Sequence, residues 1–287
     1  MSHEPELTEF AVSSGLVVRG EARGPADARP VLLVHGGGQT RFAWGNTAAQ
    51  LAGDGWRAIS IDLRGHGDSD WHPDGDYRLS AFGNDLRDVV QQLPQPPVVV
   101  GASLGGLSAL VAEGEAEESL LAGIVLVDIT PRMSAAGVGR ILTFMRDNVA
   151  DGFASLEEAA DAIARYQPHR PRPRSLEGLS RNLRLGDDGR WRWHWDPRFV
   201  NGDNRPHADS GSDRLNACAA RLTVPTLLVR GRMSDLVTPE AAQEFLACVP
   251  HAEFADVGGA GHMIAGDRND AFNEAVTGFL RRRFPPR

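Results

Sequence analysis

A serine set between glycines at the end of an apolar run carries the clearest chemical signal in this sequence. In VVVGASLGG, Gly101, Ser103 and Gly105 form a G-x-S-x-G pattern directly after a strand-like run and before the helix-compatible LGGLSALVAEGE. A strand-to-helix turn of this kind projects the hydroxyl, lets backbones pack closely through the small residues, and places developing negative charge at a helix N-terminus. Ser103 is therefore a candidate nucleophile. An alkoxide is inaccessible at neutral pH without proton transfer, so Ser103 needs a base.

Of the nine histidines, His262 is placed best. Its GGAGHM loop follows the last expected strand and precedes the last expected helix, at the carboxyl edge where open sheets bind ligands. His35, in HGGG, suggests loop shaping, and His66 sits in a glycine-rich turn. An acid must hold the imidazole in one tautomer and stabilise its protonated form. Asp235, in RGRMSDLVTPE, gives the chain order Ser103, Asp235, His262. Asp128, closing the strand-like VLVD, is the alternative acid. Acyl transfer also needs donors for a tetrahedral oxyanion. The Leu104 amide, directly after the serine, is one, and the Gly37 amide in HGGGQ is the expected second. A phosphate-cradling reading of HGGG lacks both a lysine and an acidic ribose contact.

These residues need a frame that brings strand ends together. From Val31 onward, short apolar runs alternate with helical segments, the pattern of a mostly parallel sheet covered on both faces. Strands are expected at 31–34, 58–61, 98–100, 123–128, 226–231 and 252–257, and helices near 42–53, 79–93, 104–117, 238–247 and 268–281, with an edge hairpin around Ser14 to Glu21. The rhythm breaks after Pro131. The following interval holds helical candidates at 138–149 and 155–167, the RYQPHRPRPRS stretch and the aromatic WRWHW at 191–195. A structureless loop of that length is improbable, so an inserted helical cap over the ligand crevice is expected. The division is residues 1–130 and 215–287 as core and 131–214 as cap or lid.

Composition removes several chemistries. All 30 basic residues are arginine, which excludes a Schiff-base lysine, a lysine general base and the lysine of a P-loop. The net charge of −8 opposes general affinity for nucleic acid or an anionic membrane. Cys218 and Cys248 fit neither a CxxC pattern nor a disulfide framework. The N-terminus shows no signal peptide and the apolar runs are too short for a membrane span, so a cytoplasmic enzyme is expected, as monomer or homodimer. HPDGD at 72–76 and HWD at 194–196 lack metal-ligand spacing and read as polar turn and cap surface; no metal or cofactor is expected.

Taken together, VLLVHGGG, DLRGHGDSD, GASLGG, RGRMSDLV and GGAGHM resemble the α/β-hydrolase superfamily. The resemblance spans about residues 14–130 and 215–284, with 131–214 similar to its variable cap. It implies an α/β fold with an eight-stranded, mostly parallel sheet, and hydrolysis through an acyl-serine. The expected substrate is a small to medium carboxylic ester, a lactone or a related carbonyl compound. Hydrolysis of an activated carbon–carbon bond in a diketone, cofactor-free perhydrolysis and a non-catalytic receptor are the alternatives. Relatives with an aspartate nucleophile are disfavoured by Ser103, and lysine-dependent hydroxynitrile lyases by the absence of lysine. Candidate pocket residues are Gly38, Trp44, Phe144, Met145, Trp191 and Met263, with Trp71, Trp193 and Trp195 also considered; the alternating tryptophans equally suit packing of the cap on its body.

Overall fold

The computed structural model describes residues 5–166, 176–258 and 269–285. An eight-stranded sheet forms its centre. An antiparallel hairpin, β1 (Glu6–Ala11) and β2 (Val17–Arg23), leads to β3 (Pro30–Val34), β4 (Arg57–Ile61), β5 (Val98–Ala102), β6 (Gly123–Val127), β9 (Thr226–Gly231) and β10 (Glu253–Val257), in spatial order β1-β2-β4-β3-β5-β6-β9-β10. From β4 to β10 every pairing is parallel, and only the β1–β2 and β2–β4 pairs are antiparallel. Strands β3, β6 and β9 are buried at every residue, whereas β1 and β10 at the edges carry exposed positions. Continuous apolar runs mark strands covered on both faces, and this is why the central strands were readable as uninterrupted Val/Leu/Ile segments. The expected edge hairpin is present, with its first strand further upstream than Ser14.

Helices α1 (Gly45–Gly53) and α10 (Asn269–Arg283) cover one face, while α2 (Leu79–Gln91), α3 (Leu104–Gly114) and α9 (Pro239–Cys248) lie on the other. Helix α3 is buried along its whole length because it lies between the sheet, α2 and α8 (Ser212–Ala220). Close approach there depends on glycine: a Cβ on Gly114 would stand 2.5 Å from the Cys218 Cβ.

Between β6 and β9 the chain leaves the sheet. It forms α4 (Ala135–Arg146), α5 (Leu156–Tyr166), the single-turn α6 (Glu177–Ser180), a small hairpin of β7 (Leu183–Leu185) and β8 (Trp191–Trp193), and α7 (Arg198–Asn201), before α8 returns to the core. The two longer helices match the expected periodic segments. The hairpin was not anticipated, because three-residue strands carry too little alternation to register. Cys218 is buried and Cys248 half-buried, both as free thiols. Among the described residues no helix is long and apolar enough to cross a membrane.

Candidate active site

Ser103 occupies the turn between β5 and α3 with φ 45° and ψ −114°, a conformation that a non-glycine residue rarely takes. Its neighbours explain the glycine pattern. A Cβ on Gly101 would sit 2.6 Å from the Gly106 nitrogen, one on Gly105 would sit 2.4 Å from the Val34 carbonyl oxygen, and one on Gly106 would sit 2.6 Å from the Ile129 side chain. No larger residue fits these three positions without movement, so the serine is held on a sharp, crowded turn. Its amide donates to the Val127 carbonyl at 3.2 Å, fastening the turn to the neighbouring strand β6.

The HGGG loop lies against this serine. A Cβ on Gly36 would come within 3.3 Å of the Ser103 Cβ, and one on Gly37 within 3.1 Å of Phe199. The Gly36 amide donates to Gln39 Oε1 at 3.0 Å and the Gly38 amide to His66 Nε2 at 3.1 Å. The Gly37 amide between them has no acceptor among the described residues, and the Leu104 amide, opening α3, has no intrahelical one. Both amides expected as oxyanion donors thus lie beside the serine without an acceptor among the described residues.

Two buried histidines shape this loop. His35 Nδ1 donates to the Gly36 carbonyl at 2.8 Å while its Nε2 accepts the Leu63 amide at 3.0 Å. His66 Nδ1 donates to the Arg64 carbonyl at 2.9 Å while its Nε2 accepts from Gly38. Both rings therefore have their nitrogens occupied, and neither offers Ser103 a base. Burial pushes the His35 imidazole down to about 4, helped by the Arg41 charge, and pushes His66 down to about 3, helped by His35. Both stay neutral through the physiological range. The DLRGHGDSD motif builds their support. Buried Asp62 accepts the Arg41 amide at 2.7 Å and pairs with the Arg41 guanidinium, and buried Arg64 pairs with Asp85.

His194 and Asp196 differ from the sequence expectation of a cap surface. Both are buried and dock the inserted segment onto the 64–67 turn. His194 Nδ1 accepts the Gly67 amide at 2.6 Å, the Asp196 amide donates to the Gly65 carbonyl at 2.9 Å, and the Tyr77 hydroxyl donates to the Asp196 carboxylate at 2.6 Å.

The two candidate acids have different surroundings. Asp128 directly follows β6, is fully buried, has φ 50°, and accepts the Gly231 amide at 3.1 Å and the Ser234 hydroxyl at 2.5 Å. Asp235 is half exposed, with 47% of its side chain accessible, and its carboxylate is gripped by Arg140 of α4. His262 and Met263 lie outside the described residues.

A cavity of about 560 Å³ opens over Ser103, walled by the 36–39 loop, α4, α5 and the β8 region. Gly38, Trp44, Phe144 and Met145 line it, as do Trp193 and Trp195, which stack at 4.8 Å. Trp191 does not. It sits at the outer end of the small hairpin, bonded through its backbone to Phe153 in both directions, so of the three alternating tryptophans Trp193 and Trp195 alone line the cavity. Trp71 is exposed at the surface. Phe199, Tyr166 and Ile141 also line the wall without any sequence signal that singled them out. Among the described residues no group of three or more His, Cys, Asp or Glu could hold a metal ion.

The profile of the alpha/beta hydrolase family matches residues 31–275, which span β3, the serine turn, the inserted segment and part of α10. The chain belongs to that family. The hydrolase is 32% identical over 262 residues to the protein named esterase Rv0045c of Mycobacterium tuberculosis, covering 88% of this chain and 83% of that relative. It is 27% identical over 253 residues to the 3-hydroxybutyrate-oligomer hydrolase of Cupriavidus necator, covering 83% and 84% of the two chains. A crystal structure of an alpha/beta hydrolase from Novosphingobium aromaticivorans superposes with a TM-score of 0.81 at 27% identity, over 98% of this hydrolase and 99% of that chain.

Proposed function

We propose that this ester hydrolase cleaves small to medium carboxylic esters or lactones through an acyl-serine, with residues 131–214 acting as a cap. The observation that carries this reading is the strained Ser103 turn at the floor of the cavity, flanked by the uncommitted Gly37 and Leu104 amides. His262 serves as base on the strength of its loop in the sequence. Of the two aspartates, Asp128 is the better acid. It is buried at the end of the strand adjoining the serine turn, whereas Asp235 is exposed and paired with Arg140.

In the proposed cycle, His262 takes the Ser103 proton as Oγ attacks the carbonyl carbon. The Gly37 and Leu104 amides hold the oxyanion, and protonated His262 delivers its proton to the departing alcohol. Water then attacks the acyl-serine while His262 accepts its proton, and the acid leaves as Ser103 regains a hydrogen. Asp128 stabilises the imidazolium formed in each half.

The test is Ser103→Ala with 4-nitrophenyl butyrate as substrate, beside mass-spectrometric mapping of a fluorophosphonate adduct. The expectation is a rate lower by at least about 10³-fold and an adduct on Ser103 in the unaltered protein. Retention of the full rate by S103A would sink the mechanism.

A further inference from the structure

The Ser103 cavity is apolar along most of its wall, and no aspartate or glutamate is among its described lining residues, whereas Arg181 and Arg205 are. The two arginines are differently placed. Arg181 is exposed, pairs with Glu177 at 3.6 Å and lies 5.2 Å from the Phe42 ring. Arg205 is half-buried, and its guanidinium has no hydrogen bond, ion pair or ring contact among the described residues. Its chain neighbours Arg198 and Arg214 are already committed, to Asp196 at 2.7 Å and to Glu115 at 2.6 Å.

The backbone carrying Arg205 is pinned on both sides. The Tyr77 amide donates to the Asn204 carbonyl at 2.8 Å. On the other side, the Asp209 carboxylate accepts the Leu79 and Ser80 amides at 2.7 and 3.0 Å and pairs with Arg214 at 3.0 Å. The local field is positive: burial, and then the Arg205 and Arg146 charges, hold the neighbouring His207 imidazole below its ordinary value. A partly desolvated guanidinium with no counter-charge is unfavourable until an anion arrives, and its planar fork suits a carboxylate in bidentate fashion.

We infer that the ester turned over in this cavity carries a carboxylate, and that Arg205 binds that group while Ser103 attacks the ester carbonyl. The inference rests on the ester-hydrolase reading and adds the substrate class. The apolar wall between the two residues takes the carbon chain, so a half-ester of a dicarboxylic acid fits better than a simple neutral ester.

Trp44, Trp193 and Trp195 line the cavity and report occupancy through their fluorescence. Titration with 4-phenylbutanoate and with its uncharged analogue 4-phenylbutanamide should give at least tenfold tighter binding of the acid. Arg205→Gln should abolish that preference, and Arg205→Lys should keep part of it. Equal affinities in the unaltered protein, or an undiminished preference in R205Q, overturn the inference; the first comparison decides even if the variants do not fold. In kinetics, the ratio of kcat/KM for mono-4-nitrophenyl glutarate over 4-nitrophenyl pentanoate should fall at least tenfold in R205Q. Turnover of both esters with no acid preference defeats the carboxylate site alone, whereas preferential acid binding without any ester turnover defeats the ester reading alone.

Discussion

Asp128 Oδ1 accepts the Gly231 amide at 3.1 Å, tying the end of β6 to the end of β9 beside the strand that leads to Ser103. The carboxylate is buried, and the Ser234 hydroxyl holds its other oxygen. Asp235, four residues past the end of β9, resembles it in neither burial nor partners, since Arg140 takes its carboxylate at the surface. Asp128→Asn should lower kcat for an aryl ester by about 10³ to 10⁴-fold, the scale of losing the acid of a serine triad. Asp235→Asn should change it less than about threefold, as expected for an exposed ion pair. Steady-state kinetics on the two variants, each checked for folding, decides; the reverse ranking would restore Asp235 as the acid.

His66 is a positioning residue for the loop that carries Gly37. Its Nε2 is the acceptor for the Gly38 amide, and its ring packs edge-on to Phe199 at 4.6 Å, which in turn contacts Gly37. His66→Ala leaves the part-buried Gly38 amide without its acceptor, a cost of about 1 kcal/mol in stability. It should also slow fluorophosphonate labelling of Ser103 roughly tenfold, less than the ~10²-fold or more that outright loss of an oxyanion donor costs. His66→Gln presents an oxygen near the same place and should recover part of the labelling rate. Equal labelling rates in all three proteins would remove the loop-positioning role.

The serine turn was legible because its chemistry and its packing demand the same residues. Gly101, Gly105 and Gly106 are required by backbone contacts under 3 Å, so the motif is also a steric necessity. On chain order the sequence puts Asp235 ahead of Asp128 as the acid, but it says nothing of their surroundings. Both follow apolar strands, and what distinguishes them is Arg140, 95 residues away from Asp235 in the chain. Trp191, Trp193 and Trp195 share one face by alternation, yet their distance from the cavity is set by where the small hairpin docks, through His194 on the 64–67 turn. Arg205 carried no motif at all; its significance comes from the partners that its neighbours have and that it lacks among the described residues.

Two glycines in this chain should respond in opposite ways to the same substitution. Gly105→Ala would put a Cβ 2.4 Å from the Val34 carbonyl oxygen and 2.7 Å from that of His35. Backbone must move at the centre of the sheet, and a loss of more than about 3 kcal/mol is expected. Gly139 lies exposed inside α4 with no atom within 4 Å of an added Cβ. Gly139→Ala should stabilise by about 0.5–1 kcal/mol, the helix-propensity difference. Urea midpoints for the two variants measure both; a stable G105A would mean that the serine turn is less crowded than its contacts indicate.

Stability should fall on mild acidification because of the neutral histidines under the loop. His35 and His66 are fully buried, with imidazoles pushed down to about 4 and about 3, against 6.5 in the unfolded chain. Below pH 6.5 the unfolded state takes up protons that the folded state refuses, so the contribution is fully present above 6.5 and is lost as pH falls toward the folded values. Each histidine then costs about 2 kcal/mol by pH 5. Buried Asp62 and Asp85, whose carboxyls are held above their ordinary value first by burial, act in the opposite sense. The comparison that isolates the imidazole is therefore between the unaltered protein and His66→Gln, each unfolded by urea at pH 7.5 and pH 5. The variant should lose less stability over that interval, by about 2 kcal/mol; an identical pH dependence would mean that His66 gains its proton as readily in the fold as out of it.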